Sequence, residues 1–520
     1  MKRKNKPSLC WSYFLLLILL WGDAQADAIQ TSALNLKDWE RLTYYNDGFL
    51  IESNDFLLSS NLSNATPESE LASFIKLAKT NNDLICKFPA RYSYLYKTKK
   101  IFKPPNFSQC QALTAYLTRV PIDDFYYIFA AENITSVTSM MGHGFLMASG
   151  IDQGGKGRQH TYSFFAQLNS LNPVALFYGA TVSGLDGKFA LHPYQRDLNQ
   201  YLVKEHREVW SYKLNLKPQE KELLKLALWE LRYVDFTYFF HSFNCATLLL
   251  HTLSIVKPKL LKHKKLFVSP LDIAKALEDE QLTTEVAVTL PDKTISALAD
   301  FRGVAEQYVD LKLYSASKKP TLNPQDSLVS FYSRQSDFNI SFLPTSHLLR
   351  TPSSYRNAST ELKIGYVDFS LSSSKVDELA LYSFSDYKPY NSKSLSSDIY
   401  LGYRPSHLRH THDNKKSLEV EYLAGKTWQY FGLQATVLIG AGYNNGMSLD
   451  SKLSISWVMP SLVSIHASTH HKRFMEEHGT TYSKFQASKM LSDSVNAFIE
   501  YEALAGKDRH RLKLGFDYHF

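Results

Sequence analysis

Residues 511–520 read RLKLGFDYHF. Leu512, Leu514, Phe516, Tyr518 and Phe520 fall on one face of an extended chain, and Arg511, Lys513, Asp517 and His519 on the other, because successive strand side chains point to opposite sides. The same alternation recurs upstream: Leu362, Ile364, Tyr366; Ile399, Leu401, Tyr403; Leu418, Val420, Tyr422; Leu453, Ile455, Trp457. Alternating segments of about ten residues separated by turn residues predict an antiparallel β-barrel over 348–520, and roughly eight of them would close a small one.

A last strand that places Phe520 on its apolar face resembles bacterial outer-membrane barrels. An aromatic content of 13% points the same way, against a soluble barrel or sandwich. The opposite end of the chain agrees with export. Lys2, Arg3, Lys4 and Lys6 precede an apolar run from about Phe14 to Leu20, followed by Ala24-Gln25-Ala26. This pattern predicts a secretory signal peptide over 1–26, its apolar core being shorter than the ~20 residues a spanning helix needs. The expected location is the periplasm or outer membrane of a Gram-negative bacterium. The net charge of +8 suits anionic lipid or polymer without demanding either. No clustered basic and aromatic pattern argues for nucleic acid, and no cofactor is expected.

A chain of 520 residues exceeds one hydrophobic core and predicts several domains. Residues 27–109 read as a helical domain, in which SELASFIKLAKT (69–80) spaces Leu71, Phe74, Ile75 and Ala78 for packing. Residues 110–300 mix strands (FYYIFAA at 125–131, GHGFLMA at 142–148, HTYSFFA at 160–166) with a helix over 220–232 and another starting near Asn244. Residues 301–347, rich in Ser, Pro and Lys toward their end, read as a linker. The fold class is therefore α+β with a C-terminal barrel.

Cys10 lies ahead of the apolar core and drops out of the argument. Of Cys86, Cys110 and Cys245, the first two are near enough in sequence to close a modest loop in an oxidising compartment. That pairing leaves Cys245 as an odd thiol, a flag for reactivity; other pairings stay open. Cys245 begins a predicted helix, where unpaired N–H groups lower a thiol pKa and can hold an oxyanion. His143, flanked by Gly142 and Gly144 on an upstream strand, supplies a base. A buried apolar Cys and a structural His are the plain alternatives for each residue alone.

The pieces SVTSMMGHGFLMA, FFAQLNSLNPVALFYGATVSGLDGKFALHPYQRDLNQYLVKEHREVWSYKLNLKPQE and LWELRYVDFTYFFHSFNCATLLL occur in an order and spacing that resemble the DUF4105 family, the Lnb (lipoprotein N-acyltransferase) N-terminal periplasmic domain. The LKDWERLTYY and CKFPARY pieces look like the domain that often precedes it. The resemblance implies a permuted papain-like (NlpC/P60-type) layout with His before Cys. It also implies a thioester formed on Cys245 from a lipid ester and passed to an amine, with His143 moving the proton. The implied partners are a lipoprotein or phospholipid acyl substrate and the outer membrane. Ser163, then His160, are candidates to orient His143. Asn244 caps the Cys-bearing helix and supports the site. Tyr238, Phe239 and Phe240 are candidate pocket walls. Phe145, Phe164, Phe165, Phe177 and Tyr178 lean toward acyl chains over a polar peptide groove.

Two alternatives stand beside the acyltransferase. One is an amidase or peptidase acting on cell-wall peptide, and the other is a non-catalytic outer-membrane binding protein. His407, His410, His412, His470 and His471 match no ordered zinc spacing and read as barrel turns. Lys257–Lys265 reads as a solvated basic face.

Overall fold

The computed structural model describes residues 35–520 apart from short stretches, the longest being 132–141, 168–177, 352–359, 388–394 and 404–417. Residues 1–26, expected to be a signal peptide, and Phe177, His407, His410 and His412 lie outside the described residues.

The N-terminal region is helical. Helix α1 (Leu36–Leu42) starts at Asn35, whose side chain accepts from the Lys37 N–H. Helix α2 (Pro67–Ala78) starts with a reciprocal cap between Thr66 and Ser69 and has Pro at its first turn, where a missing N–H costs nothing. Phe74 of α2 meets Trp39 of α1 edge-on at 5.4 Å between ring centres. Helix α3 (Pro89–Lys97) carries Arg91, fully buried. The Arg91 guanidinium lies over Phe88 and Phe56, and its Nε donates to Glu230 at 2.7 Å. Glu230 ends α5 (Pro218–Glu230), so this ion pair joins the helical region to the central domain. Cys86 is disulfide-bonded to Cys110, which leads into α4 (Gln111–Arg119).

The central domain is built on one antiparallel sheet. Its strands are β1 (Asp124–Ala130), β2 (His143–Ile151), β3 (Gly157–Gln167), β4 (Leu185–Pro193), β5 (Val209–Leu214), β6 (Phe236–Tyr238) and β7 (Thr283–Thr289), in the order β6-β4-β3-β2-β1-β5-β7. Its two faces bury different sets. Phe125, Tyr127, Phe129, Leu146, Ala148, Tyr162 and Phe164 pack under α5, α6 (Cys245–Ser254) and α7 (Pro270–Asp279) in the main core. Ile128, Phe145, Met147 and Val209 point the other way, onto Tyr194, Tyr201 and Leu202.

The C-terminal region is a closed antiparallel barrel of twelve strands: β8 (Leu328–Arg334), β9 (Asp337–Leu343), β11 (Thr360–Ser370), β12 (Lys375–Asp386), β13 (Ser396–Tyr403), β14 (Leu418–Tyr430), β15 (Leu433–Tyr443), β16 (Met447–Met459), β17 (Val463–Phe474), β18 (Thr480–Ser492), β19 (Val495–Leu504) and β20 (Arg509–His519). A short β10 (Thr345–His347) adds to β11. The cylinder closes where β9 pairs with β11 and β20 with β8. The expectation of about eight strands is therefore corrected to twelve, and two of them come from the stretch expected to be a linker. The alternation of β8 and β9 is hard to read because their inward, buried positions mix small polar groups, Ser330, Asn339 and Ser341, with the large Leu328, Tyr332 and Leu343. The outer wall is apolar: Leu512, Leu514, Phe516 and Tyr518 are 42–54% exposed, while Asp517 and His519 face inward and are buried. Such a wall is stable only against lipid.

Candidate functional site

The chain passes from β6 into α6 through Asn244. The Asn244 Oδ1 accepts from the Thr247 N–H at 2.9 Å and from the Thr247 hydroxyl at 3.2 Å. Its Nδ2 donates to the carbonyls of Phe240 and Val268, each at 3.0 Å. One amide thus caps the helix and ties two neighbouring loops to its start.

Cys245 is the first residue of that helix, and it is a free, buried thiol. Burial pushes its pKa up, while the Gly144 N–H, the Tyr238 hydroxyl and the Ala246 N–H pull it down without cancelling the rise. The lowering expected from a helix start is thus corrected: in an apolar surround, desolvation outweighs the donors, and the resting group is a thiol. The donors are nonetheless arranged around the sulfur. Gly144 owes its lack of a side chain to packing rather than to substrate, since a Cβ there would collide with the Tyr127 hydroxyl, which donates to the Pro270 carbonyl at 2.6 Å.

His143 opens β2, paired in register with Ala130. Its Nε2 lies 3.1 Å from the Ser163 hydroxyl. Its ring packs 5.8 Å from that of Phe145 and 6.2 Å from that of Tyr201. Burial and the positive charge of Arg207 push the imidazole down to about 4, with Glu205 opposing. Arg207 is fixed by the Ala130 carbonyl at 2.8 Å and Glu205 at 2.8 Å.

The structure therefore brings His143 and Ser163 together, and brings Gly144, Tyr238 and Cys245 together. His143 follows Phe145 on the Tyr201 face, whereas Gly144 follows Leu146 on the face that packs against α6; the Cys245 thiol is near enough to Tyr201, the ring beside His143, for its charge to be felt there. Among the described residues no hydrogen bond joins His143 to Cys245. His160 is placed farther along β3, opposite Ala148. Tyr238 does more than wall the pocket, since its hydroxyl faces the sulfur. Phe240 turns away, packing on Phe267 beside Leu362 and Phe384 of the barrel wall. Of the aromatic residues expected to favour acyl chains, Phe145 and Phe164 are core, while Phe165 and Tyr178 are 41% and 57% exposed. Tyr201 and Arg207, which set the surroundings of His143, carry no local signal in the sequence.

The other expectations resolve as follows. The Lys257–Lys265 run is largely paired, Lys257 with Glu220 at 2.8 Å and Lys265 with Asp272 at 2.9 Å. His470 and His471 lie within β17 and not in turns, because the strand continues unbroken through them. His470 faces inward, 3.5 Å from Glu421, and His471 faces outward, 2.9 Å from the Thr481 hydroxyl. Glu421, Asp450 and His470 are close enough to share an ion, but the Lys472 ammonium already sits among those carboxylates.

Residues 112–280 match the Lnb N-terminal periplasmic domain, and residues 33–98 match a domain of unknown function, DUF7843. No curated protein matches the sequence. Among solved structures the barrel is similar to the KdgM porin, at 11% identity over 37% of this chain and 98% of that one with a TM-score of 0.26. It is also similar to an outer membrane channel from Pseudomonas putida F1, at 12% identity over 38% of this chain and 96% of that one with a TM-score of 0.25. The periplasmic-domain match and the closed barrel with its apolar wall place the chain in the periplasm and outer membrane.

Proposed function

We propose that the central domain is a thiol acyltransferase of the envelope, related in layout to permuted papain-like enzymes, with Cys245 as nucleophile, His143 as base and Ser163 orienting the imidazole. The observation that carries this reading is the free thiol at the start of α6, ringed by the Gly144 and Ala246 N–H groups and the Tyr238 hydroxyl. In the reaction the Cys245 sulfur attacks the carbonyl of a lipid ester and its proton passes to His143. The three donors hold the tetrahedral oxyanion, and the alcohol leaves with the proton from His143. An amine then attacks the thioester, releasing the thiol. For this the imidazole must leave Ser163 and turn toward the sulfur. That no hydrogen bond joins Cys245 to His143 favours a second reading, a binding domain that performs no chemistry.

The test is to incubate the full chain in detergent with phospholipid and a short amine acceptor, then weigh the Cys245 peptide. An acyl adduct is expected in the wild-type chain. It should vanish in Cys245→Ala and fall by about a hundredfold or more in His143→Ala, the usual scale for a lost general base. No adduct on the wild-type thiol establishes the binding reading. Equal adduct without His143 removes the imidazole from the mechanism.

A further inference from the structure

The bore of the barrel is crossed by a short piece of its own chain. Twelve strands enclose more space than the roughly eight at which inward side chains alone fill a barrel. After β10 the chain turns inward. Leu349 packs against Tyr387 and against the fully buried Leu423 of β14 and Leu438 of β15. Its N–H donates to Glu361 on β11 at 3.3 Å, and its carbonyl accepts from the Ser464 hydroxyl on β17 at 2.9 Å. The carbonyl of Arg350 accepts from Ser488 on β18 at 2.6 Å and from Asn496 on β19 at 3.0 Å. The Arg350 guanidinium forks onto Asp517 of β20 at 2.8 and 2.9 Å and donates to the Ser330 hydroxyl of β8 at 3.0 Å.

Two successive residues thus bond or pack against strands on every side of the bore. A bidentate, buried arginine–carboxylate pair is among the stronger and geometrically most specific contacts available to a side chain. Farther along the bore, Lys472 of β17 reaches over to Glu419 of β14 at 2.6 Å, and Lys452 of β16 reaches over to Asp398 of β13. Each of these pairs reaches over two intervening strands along one side of the bore.

We propose that this barrel is sealed, serving as a membrane anchor and not as a solute pore, with Leu349 and Arg350 as its plug. The open bore of a porin needs its inward charges hydrated and apart; here they are buried and paired with each other or with the inserted segment. The sealing is independent of any chemistry at Cys245.

The experiment is conductance of the purified full chain in a planar phospholipid bilayer, with swelling of sugar-loaded vesicles as a second measure. The wild-type chain is expected to be silent. Arg350→Ala, checked for a folded barrel by heat-modifiable gel mobility, is expected to raise conductance roughly tenfold or more over wild type by opening the bore. Should that variant not fold, Leu349→Gly removes the apolar contact while keeping the ion pair and takes its place. Steady wild-type conductance overturns the proposal. So does silence in a variant that is folded, because the plug would then not be what seals the barrel.

Discussion

Replacing Asn244 by Ala should expose Cys245. The side chain accepts from the Thr247 N–H and donates to the Phe240 and Val268 carbonyls, and the residue is buried. Losing the cap costs about 1 kcal/mol. Leaving the buried Val268 carbonyl and the partly buried Phe240 carbonyl without their donor adds about 1 kcal/mol each. The sum, about 3 kcal/mol, falls on the start of α6, and through it on the local opening that lets reagent reach the thiol. Where opening is a rapid pre-equilibrium, the alkylation rate follows its equilibrium constant, so about 3 kcal/mol corresponds to a rise of roughly a hundredfold. The assay is iodoacetamide labelling of the full chain in detergent at fixed pH, read at the Cys245 peptide by mass. Asn244→Ser keeps the cap acceptor and loses the amide donors, so it should fall between. Asn244→Ala labelling at the wild-type rate would refute the view that this amide holds Cys245 in place.

Arg91→Met should destabilise the chain by about 3–5 kcal/mol, because it leaves Glu230 and Glu70 buried without their cation. Adding Glu230→Gln should recover part of the loss in urea unfolding; a single variant indistinguishable from wild type contradicts the assignment. The depressed imidazoles of His143 and His251, each about 4 when folded against the ordinary value of 6.5, set a pH dependence. Since the unfolded chain takes up these protons first, their contribution is whole above about pH 6.5 and is lost as pH falls toward 4. Thermal unfolding should therefore show Tm falling across that window, and the fall should be reduced in His143→Gln, His251→Gln; an unchanged slope counts against the burial of these rings.

The alternation of Leu512, Leu514, Phe516 and Tyr518 was enough to predict a barrel with an apolar wall, because a strand's period of two is written directly in neighbouring residues. The helix start at Asn244 and the strand carrying His143 were legible for the same reason, as local patterns with local causes. The size of the barrel was not: the inward residues of β8 and β9 mix serine and asparagine with Leu328, Tyr332 and Leu343, and their shared role as bore lining exists only once the cylinder closes. Nor was the thiol's state, since a helix N-terminus lowers a pKa in isolation and only the apolar residues folded around Cys245 reverse the balance. Which way the His143 ring faces depends on one step of strand register, and the bonds of Arg350 to Asp517, Ser488 and Asn496 join residues more than a hundred positions apart. Short-range periodicity thus determined the kinds of element and the candidate residues, while the facing of side chains, the burial that sets their charge and the sealing of the bore were decided by contacts that form only in the folded chain.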